Sequence, residues 1–439
     1  MVSHSVFFSS FPKMTISIEK LRQNLCANVR MPLVIIFLYS FALFILLFNT
    51  VHDRTEEEFR KRGRPLNYDS IKVWINHGYF VHGGLAFKKS AEEDPRQVVW
   101  KSLTMGYLQL AHLLQRAHVK VTGKFNYFLM ALHSQFFPML SSALLGLLAM
   151  RLSLQMKISS FHSLALGLSA LTVFQTFPMN LSAVFDFYQV HVWLTFAILF
   201  LLIDNHFNWK GYDGKSKTIW ILIVFLMFYI DHYITFFFML SYGFIFLIIA
   251  PRELNIFKFL KSVVFAAVPA ALIMTGQILW VKLNFPQIIL DGSSLNFRTG
   301  LDGDIQYYSN HWDLLFSQYV PWLPKWKVLL FLGTSATIAV IFFNQRTKKH
   351  LDHQTTLLLG IGSFIPMAFV FSQNEVIHIN IYEPLLALPL ILALFALLPA
   401  WLETLNQNSG VFVLFSGLTA FAFAGGQMLA YWLHMPPYF

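Results

Sequence analysis

Long apolar runs recur from end to end of this chain, and they leave few folds open to it. A helix needs about 20 apolar residues to cross a bilayer, because only internal hydrogen bonding can satisfy its backbone there. The sequence predicts an all-α, polytopic integral membrane protein of about 11 transmembrane helices. The predicted helices are 32–50, 127–150, 160–178, 187–203, 218–230, 233–250, 262–281, 328–343, 355–372, 381–400 and 411–433.

The composition fits the same class and excludes several others. Hydrophobic residues make up 56% of the 439 positions and charged residues only 12%, far from the balance of a soluble domain. Cys26 is the single cysteine, which excludes an intramolecular disulfide and a cysteine-bound metal cluster. The formal charge is +10, but the basic residues fall mostly in short links between apolar runs. We therefore expect membrane lipids with anionic headgroups as partners, and no nucleic acid.

The N-terminal segment predicts the orientation of the first helix. Residues 1–31 contain four basic residues ahead of the first apolar run, and no small-residue cleavage site follows that run. Because positive residues favour the cytoplasmic side, we expect an uncleaved signal anchor with a cytoplasmic N-terminus. Residues 32–439 then form a single transmembrane domain, and Met14 is an alternative start to Met1. The four basic residues are Lys13, Lys20, Arg22 and Arg30.

The apolar stretch 218–250 is predicted to be a hairpin of two short helices. One helix of this length would measure about 50 Å, too long for a bilayer core of about 30 Å. Asp231 and His232 interrupt the stretch near its middle. Two helices also bring two later basic clusters to the cytoplasmic side, where the positive-inside bias favours them. The clusters are Arg252, Lys258 and Lys261, and then Arg346, Lys348 and Lys349. Asp231 is therefore expected at the outer tip.

Four segments are then predicted on the extracytoplasmic side. They are the loop 51–125, the link 179–186, the loop 283–326 and the link 373–380. The first loop contains apolar residues at helical spacing, a pattern typical of two or three amphipathic helices lying along the membrane surface. Those residues are Ile71, Trp74, Ile75, Leu103, Tyr107, Leu110 and Leu114. Glycines and aromatic residues in the loop 283–326 predict a cap over the outer face.

Two acidic residues in the outer segments are the first candidates for chemistry. An ionised carboxylate near the hydrocarbon costs roughly 2.5–3.5 kcal/mol, so it needs a stabilising role. Asp69 is a candidate general base, or a carboxylate that orients a hydroxyl group, with a helix N-cap as the alternative. Asp186 precedes Tyr188, Gln189 and His191, and this concentration of polar groups favours a site as much as a second N-cap.

Further polar residues are candidates for binding. Asp231, Glu375 and His378 are a possible divalent metal site, because the last two are three positions apart and would align on a helix. A simple turn is the alternative for Asp231. Three basic side chains are candidate partners for a phosphate group, with a solvated surface role as their alternative. They are Lys72, Arg116 and Arg298.

Common catalytic motifs are absent from the sequence. It contains no Walker loop and no dinucleotide fingerprint, which argues against chemistry driven by a nucleotide. His82-Gly83-Gly84 is similar to the oxyanion segment of lipases, but the Gly-x-Ser-x-Gly elbow that lipases need is absent.

The layout resembles the GT-C superfamily of polyprenyl-phosphate-sugar-dependent membrane glycosyltransferases, in particular the protein O-mannosyltransferases and the aminoarabinose transferase of lipid A. The family's acidic residue early in a long first outer loop resembles Asp69 in Asn67-Tyr68-Asp69-Ser70, although Ser70 replaces a frequent second acid. A second acid before the fourth span resembles Asp186, and the polar tip of a short hairpin resembles Ile230-Asp231-His232-Tyr233. The cluster before a late span resembles 376–385.

This resemblance implies a function and a location. It implies an inverting transfer of a sugar from a polyprenyl-phosphate donor to a glycan, lipid or protein acceptor, with Asp69 as the leading catalytic residue. We expect a multi-pass protein of a bacterial inner membrane, with its active site on the periplasmic side. Two alternatives stay open: a lipid or sugar transporter or flippase, and a non-catalytic envelope assembly protein.

Overall fold

The structure is a computed structural model, and all regular secondary structure in the residues that it describes is helical. It describes residues 30–62, 66–79, 106–156, 158–177, 180–181, 189–207, 210–249, 255–284 and 409–434, together with 388, 391–392, 394–395 and 398. Ten α-helices of four residues or more have defined bounds within these ranges. They are α1 (Arg30–Arg62), α2 (Leu66–His77), α3 (Gly106–Thr122), α4 (Tyr127–Gln155), α5 (Ser160–Gln175), α6 (Gln189–His206), α7 (Lys217–Ile230), α8 (His232–Ile249), α9 (Ile256–Asn284) and α10 (Ser409–His434).

Four described segments are long and apolar enough to cross a membrane. They are Met31–Asn49, Tyr127–Gln155, Ile256–Asn284 and Gly410–Leu429. These helices suggest a membrane protein, in agreement with the predicted class. Helices α5, α6, α7 and α8 also fall on predicted apolar runs, but they are short. The predicted helices 328–343 and 355–372 lie outside the described residues, as does most of 381–400.

Helix α1 extends beyond its predicted end. The run 32–50 predicted a span followed by a loop from residue 51, whereas the helix continues to Arg62. The extension is strongly charged, and its Glu56–Glu58 segment is followed four positions later by Arg60–Arg62. Glutamate four positions before a basic residue is a sequence pattern that favours a helix in water, and hydropathy does not detect it.

Helix α4 lies at the centre of the bundle and crosses α5 so closely that the two backbones approach each other at Gly146 and Gly167. A Cβ atom added to Gly146 would lie 2.9 Å from the carbonyl oxygen of Gly167, and one added to Gly167 would lie 2.6 Å from that of Gly146. Small residues at such crossings let two membrane helices approach closely enough for extensive van der Waals contact. The glycine pair therefore fixes the spacing between α4 and α5.

Buried polar bonds join α1 to this pair. The Ser40 hydroxyl donates to the carbonyl oxygen of Met139 at 3.0 Å, and Gln175 donates its side-chain amide to the carbonyl oxygen of Ser40 at 3.1 Å. Ser40 and Gln175 are fully buried. In an apolar interior these bonds fix the register of α1 against α4 and α5.

Helices α7 and α8 form an antiparallel hairpin around Asp231. The Phe200 ring of α6 lies 5.5 Å from the ring of Trp220 in α7 and 5.4 Å from that of Tyr242 in α8. Trp220 and Tyr242 each lie eleven positions from Asp231, on opposite sides of it in the sequence (231 − 220 and 242 − 231). The predicted helix break at Asp231 is present, and the chain reverses direction there.

Contacts between helix ends define two ends of the bundle. The Arg151 guanidinium donates to His206 Nδ1 at 3.1 Å, which places the last turns of α4 and α6 together. Phe259 contacts both Trp220 and Tyr212, which brings the starts of α7 and α9 to the same level. We call this the lysine-rich end, because its basic residues are Arg151, Lys210, Lys215, Lys217, Lys258 and Lys261. The opposite end, which carries Asp231, is the hairpin end.

Candidate functional site

Asp231 is held rigidly at the tip of the hairpin. Its Oδ1 accepts the backbone N–H of Ile234 at 3.0 Å, so the side chain caps the first turn of α8. Its carbonyl oxygen accepts the hydroxyl of Thr235 at 2.6 Å. Only 4% of Asp231 is exposed, which is unusual for an acid at the end of an apolar hairpin. Asp231 is therefore a buried N-cap of α8 at the point where the chain reverses direction.

A chain of polar side chains continues from the tip into α6 and α4. Trp193 donates its indole N–H to the Thr235 hydroxyl at 2.8 Å. Two positions after Trp193 on α6, the hydroxyl of Thr195 lies 3.2 Å from that of Ser141 in α4, and the two share a hydrogen bond. All four side chains are buried. Buried and satisfied hydrogen bonds of this kind fix the positions of three helices below the hairpin end.

Helices α2 and α3 pack against each other through an aromatic cluster. Trp74 of α2 meets the ring of His112 in α3 edge to face at 5.8 Å, and Tyr79 stacks on His112 at 5.5 Å. Trp74 and Ile71, two of the apolar residues at helical spacing, are buried in the main core. Packing of this stripe against protein makes α2 part of the bundle.

Helix α3 has an exposed apolar face and a packed face. Leu110 and Leu114, which were expected on the apolar face of an amphipathic helix at the membrane surface, are exposed by 44% and 36%. The face that packs on the protein instead carries Ala111, His112 and Gln115. The leucines of α3 are thus left uncovered by the described protein, as expected for a helix with one face towards lipid.

A hydrogen-bonded link joins these outer helices to the hairpin. Gln109 of α3 donates its side-chain amide to the hydroxyl of Tyr79 at 2.7 Å. The Tyr229 hydroxyl, at the end of α7, donates to the Oε1 of the same Gln109. Tyr229 lies two positions before Asp231. The segment that follows α2 is therefore tied directly to the hairpin tip.

Asp69 and Lys72 both lie in α2. Asp69 is the fourth residue of this helix, which begins at Leu66, so the alternative of a helix N-cap is wrong for Asp69. Its side chain lies outside the described residues. Lys72 follows one turn later and is half-buried. Because α2 is anchored to the hairpin, both residues belong to the hairpin end.

Arg116 lies on the exposed side of α3, one turn after His112. Burial lowers the pKa of His112 below its usual value, and the positive charge of Arg116 lowers it further. His112 is only 6% exposed, and two aromatic rings enclose it. It is therefore a neutral ring at pH 7, whereas Arg116 is exposed at the surface.

Four further predicted site residues fall in other parts of the chain. Asp186, Arg298, Glu375 and His378 lie outside the described residues. In the part of the chain that the structure describes, no group of three or more His, Cys, Asp or Glu side chains is close enough to hold a metal ion. The predicted metal site, which combines Asp231 with two of these residues, stays a prediction.

The structure also contains a buried acid that the sequence did not indicate. Asp204 is fully buried at the lysine-rich end, where it accepts the N–H of Gly211 at 2.7 Å and the hydroxyl of Tyr242. A Cβ atom on Gly211 would lie 2.4 Å from Asp204 Oδ1, so only glycine fits there. The predicted helix 187–203 ends one residue before Asp204, so the sequence assigns Asp204 to a polar link. An acid directly after such a run was the available signal.

No protein-family model matches the chain, and no curated protein and no solved structure matches it either.

Proposed function

We propose that this protein is a membrane glycosyltransferase that moves a sugar from a polyprenyl-phosphate donor to an acceptor at the extracytoplasmic face. One observation carries the proposal. The helix that contains Asp69 and Lys72 is linked, through Tyr79 and Gln109 of α3, to the hairpin that carries Asp231, at the end of the bundle opposite the lysines. Candidate acids and a candidate phosphate partner thus share one end of an otherwise apolar molecule.

The orientation follows from charge. The lysine-rich end is assigned to the cytoplasm, because basic residues in short links favour that side. The hairpin end then faces away from the cytoplasm, where polyprenyl-phosphate sugars are available without nucleotide chemistry. This assignment agrees with the cytoplasmic N-terminus expected from residues 1–31. The proposed location is a bacterial inner membrane.

The proposed reaction is an inverting displacement at the anomeric carbon of the donor sugar. Asp69 takes the proton of the attacking acceptor or orients its nucleophile, a role that typically contributes 10²–10⁴-fold. Asp186 is the second carboxylate of the site. The departing phosphate gains negative charge, which Lys72, Arg116 and Arg298 are assigned to stabilise.

The described residues support the proposal because they fix the position of α2. A reacting group displaced by about 1 Å loses roughly a hundredfold in rate, so a catalytic helix must be fixed. The link from Tyr229 through Gln109 to Tyr79 and the buried Trp74 provide that fixation for α2. A divalent metal at Asp231, Glu375 and His378 remains an optional element, and no step depends on it.

The decisive experiment compares two acids in a transfer assay on membranes with a polyprenyl-phosphate sugar donor. Asp69→Asn should reduce turnover by about 10²–10⁴-fold. Asp213→Asn is the matched control, because Asp213 lies at the lysine-rich end in an exposed pair with Lys258. Turnover close to that of the unchanged protein in Asp69→Asn, at equal expression, would remove Asp69 from the reaction.

A second candidate function, transport of a lipid or sugar, is favoured by Asp204. A fully buried acid at the end of a membrane helix is typical of transport pathways. Mass analysis of lipid-linked sugars in a deletion strain separates the candidates. Loss of a transferase leaves unmodified acceptor or excess donor, loss of a flippase traps donor on the inner leaflet, and loss of an assembly protein changes neither.

A further inference from the structure

Three buried side-chain amides have an oxygen that accepts no hydrogen bond from any described residue. They belong to Gln135 in α4, Asn180 just after α5, and Gln427 in α10. None of the three residues is more than 7% exposed. Buried polar atoms without a partner are rare in folded proteins, and each needs a specific explanation. Three in one apolar bundle indicate a polar ligand.

Asn180 and Gln427 lie at the same level of the bundle. Val413, near the start of α10, packs against Ile158 and Leu166 near the start of α5, and further along the rings of Phe423 and Phe177 lie 5.8 Å apart. The two helices therefore run in the same direction. Asn180 follows Phe177, and Gln427 follows Phe423, by about one helical turn.

Gln135 faces the same junction. Ala131 and Met139, one turn before and one turn after it on α4, pack in one cluster with Leu181, the neighbour of Asn180. Met428, the neighbour of Gln427, packs against that cluster as well. We call the region bounded by Gln135, Asn180 and Gln427 the amide junction. It lies between α1, α4, α5 and α10, towards the hairpin end.

The amide junction is separate from the hairpin tip. Phe137 and Ser141 are on the face of α4 that contacts Thr195 of α6. Gln135 is two positions before Phe137, and two positions rotate an α-helix by about 200°. The junction and the hairpin tip thus lie on opposite sides of α4, so one small group does not occupy both.

The chemistry of the junction selects a neutral group that donates hydrogen bonds. The three amide oxygens are acceptors without a donor, whereas the NH₂ group of Asn180 already donates to the carbonyl oxygen of Phe174. A hydroxyl group supplies such a donor without adding charge. A divalent cation such as calcium takes six to eight oxygen ligands, usually with carboxylates, and the described residues contain no acidic cluster. A negatively charged phosphate would gain no ion pair from the three neutral amides themselves.

We infer that the amide junction binds the neutral, hydroxyl-bearing head of a sugar, presented either by a glycolipid or by a free saccharide. The inference does not require sugar transfer. Binding here supplies donors to the three unpartnered oxygens, and the apolar surroundings from Phe44, Leu47 and Met139 exclude water. In the unliganded protein, burying these three oxygens without hydrogen bonds costs free energy. A local cost of this kind is common at binding sites.

The test measures glycolipid retention by native mass spectrometry of the full chain in nanodiscs that contain monoglucosyl diacylglycerol. The unchanged protein should retain the glycolipid, and Gln135→Met and Gln427→Met should each lose at least about tenfold in apparent affinity, the equivalent of one good hydrogen bond. Competition by soluble glucose supports a free saccharide as the source, and its failure supports the glycolipid. Gln155→Met is the matched control, because Gln155 already pairs with Asn205 at 3.2–3.3 Å.

A folding defect is distinguished from lost binding by thermal unfolding without glycolipid. Both variants remove a buried unpartnered oxygen at nearly constant volume, so their melting temperatures should equal or exceed that of the unchanged protein. Gln427→Ala provides a smaller alternative side chain with the same expected loss of binding. Equal retention of glycolipid by all variants, or equal retention of diacylglycerol without sugar, overturns the inference. Either result leaves the transfer assay on Asp69 unaffected.

Discussion

The Tyr229 hydroxyl donates to the Oε1 of Gln109, and this bond joins the end of a hairpin helix to an outer helix 120 positions earlier in the chain. Gln109 passes the connection on to Tyr79 through its own amide. The bond therefore couples the helix proposed to carry the catalytic acid to the tip that carries Asp231. Its loss should change how that acid is positioned more than whether the protein folds.

Tyr229→Phe is expected to lower the rate of sugar transfer by roughly tenfold and to leave donor binding nearly unchanged. Removing one buried hydroxyl costs about 0.5–1.5 kcal/mol of stability, too little to unfold the protein. Steady-state kinetics check the split, because a positioning role lowers kcat with little effect on KM. Tyr39→Phe is the matched control, since it loses a bond to Thr172 inside the bundle. Equal kinetic losses in both variants would show a general effect of stability.

His112 is expected to make stability depend on pH. Burial lowers its pKa, and Arg116 lowers it further, so the folded protein binds a proton more weakly than the unfolded chain. The contribution is therefore fully present above the usual histidine pKa of about 6.5 and is lost as the pH falls from there towards the lowered value. Melting temperatures at pH 7.5 and 5.5 measure it.

The matched variant for this prediction is His112→Gln, which removes the titrating ring from the cluster with Trp74 and Tyr79. The fall in melting temperature between pH 7.5 and 5.5 should become smaller in this variant. Arg116→Gln should reduce the fall by less, because its charge is the smaller of the two causes. An unchanged pH dependence in His112→Gln would assign the effect to another group.

Hydropathy predicted which segments are helices, but it carried no information about which helices meet. The apolar run 127–150 predicted α4 with its start at the correct residue, and the length limit of a bilayer predicted the break at Asp231. The bond between Tyr229 and Gln109 was not predictable, because two polar residues far apart in one sequence do not indicate a contact.

The missed features share a physical cause. Helix α1 continues beyond its apolar run, and Asp204 is held by hydrogen bonds at a helix end, where a hydropathy window changes sign. In the same way, hydropathy did not indicate that the packed face of α3 contains His112 and Gln115. Polar residues with partners can be buried, and their partners are visible only in three dimensions.

Asp204 is expected to be essential for stability at the lysine-rich end. Asp204→Ala leaves the N–H of Gly211 and the hydroxyl of Tyr242 buried without an acceptor, at a cost of about 1–3 kcal/mol for each. Thermal unfolding in detergent measures the loss. Asp213→Ala should cost much less, because its pair with Lys258 is exposed and screened by salt. If Asp204→Ala keeps its melting temperature but abolishes substrate movement in vesicles, the transport alternative gains over sugar transfer.

The crossing of α4 and α5 predicts opposite effects for one substitution at two glycines. Gly167→Ala places a Cβ atom 2.6 Å from the carbonyl oxygen of Gly146, so the helices must separate, at a cost of about 1–3 kcal/mol. Gly276→Ala is the control, because Gly276 lies inside helix α9 with nothing within 4 Å of the added atom. Alanine is the better helix former by up to about 1 kcal/mol, so this variant should be as stable as the unchanged protein or more so. Melting temperatures measured in the same detergent compare the two directly. A loss of equal size at both positions would mean that flexibility of the glycine backbone, rather than close approach of α4 and α5, is what the bundle requires.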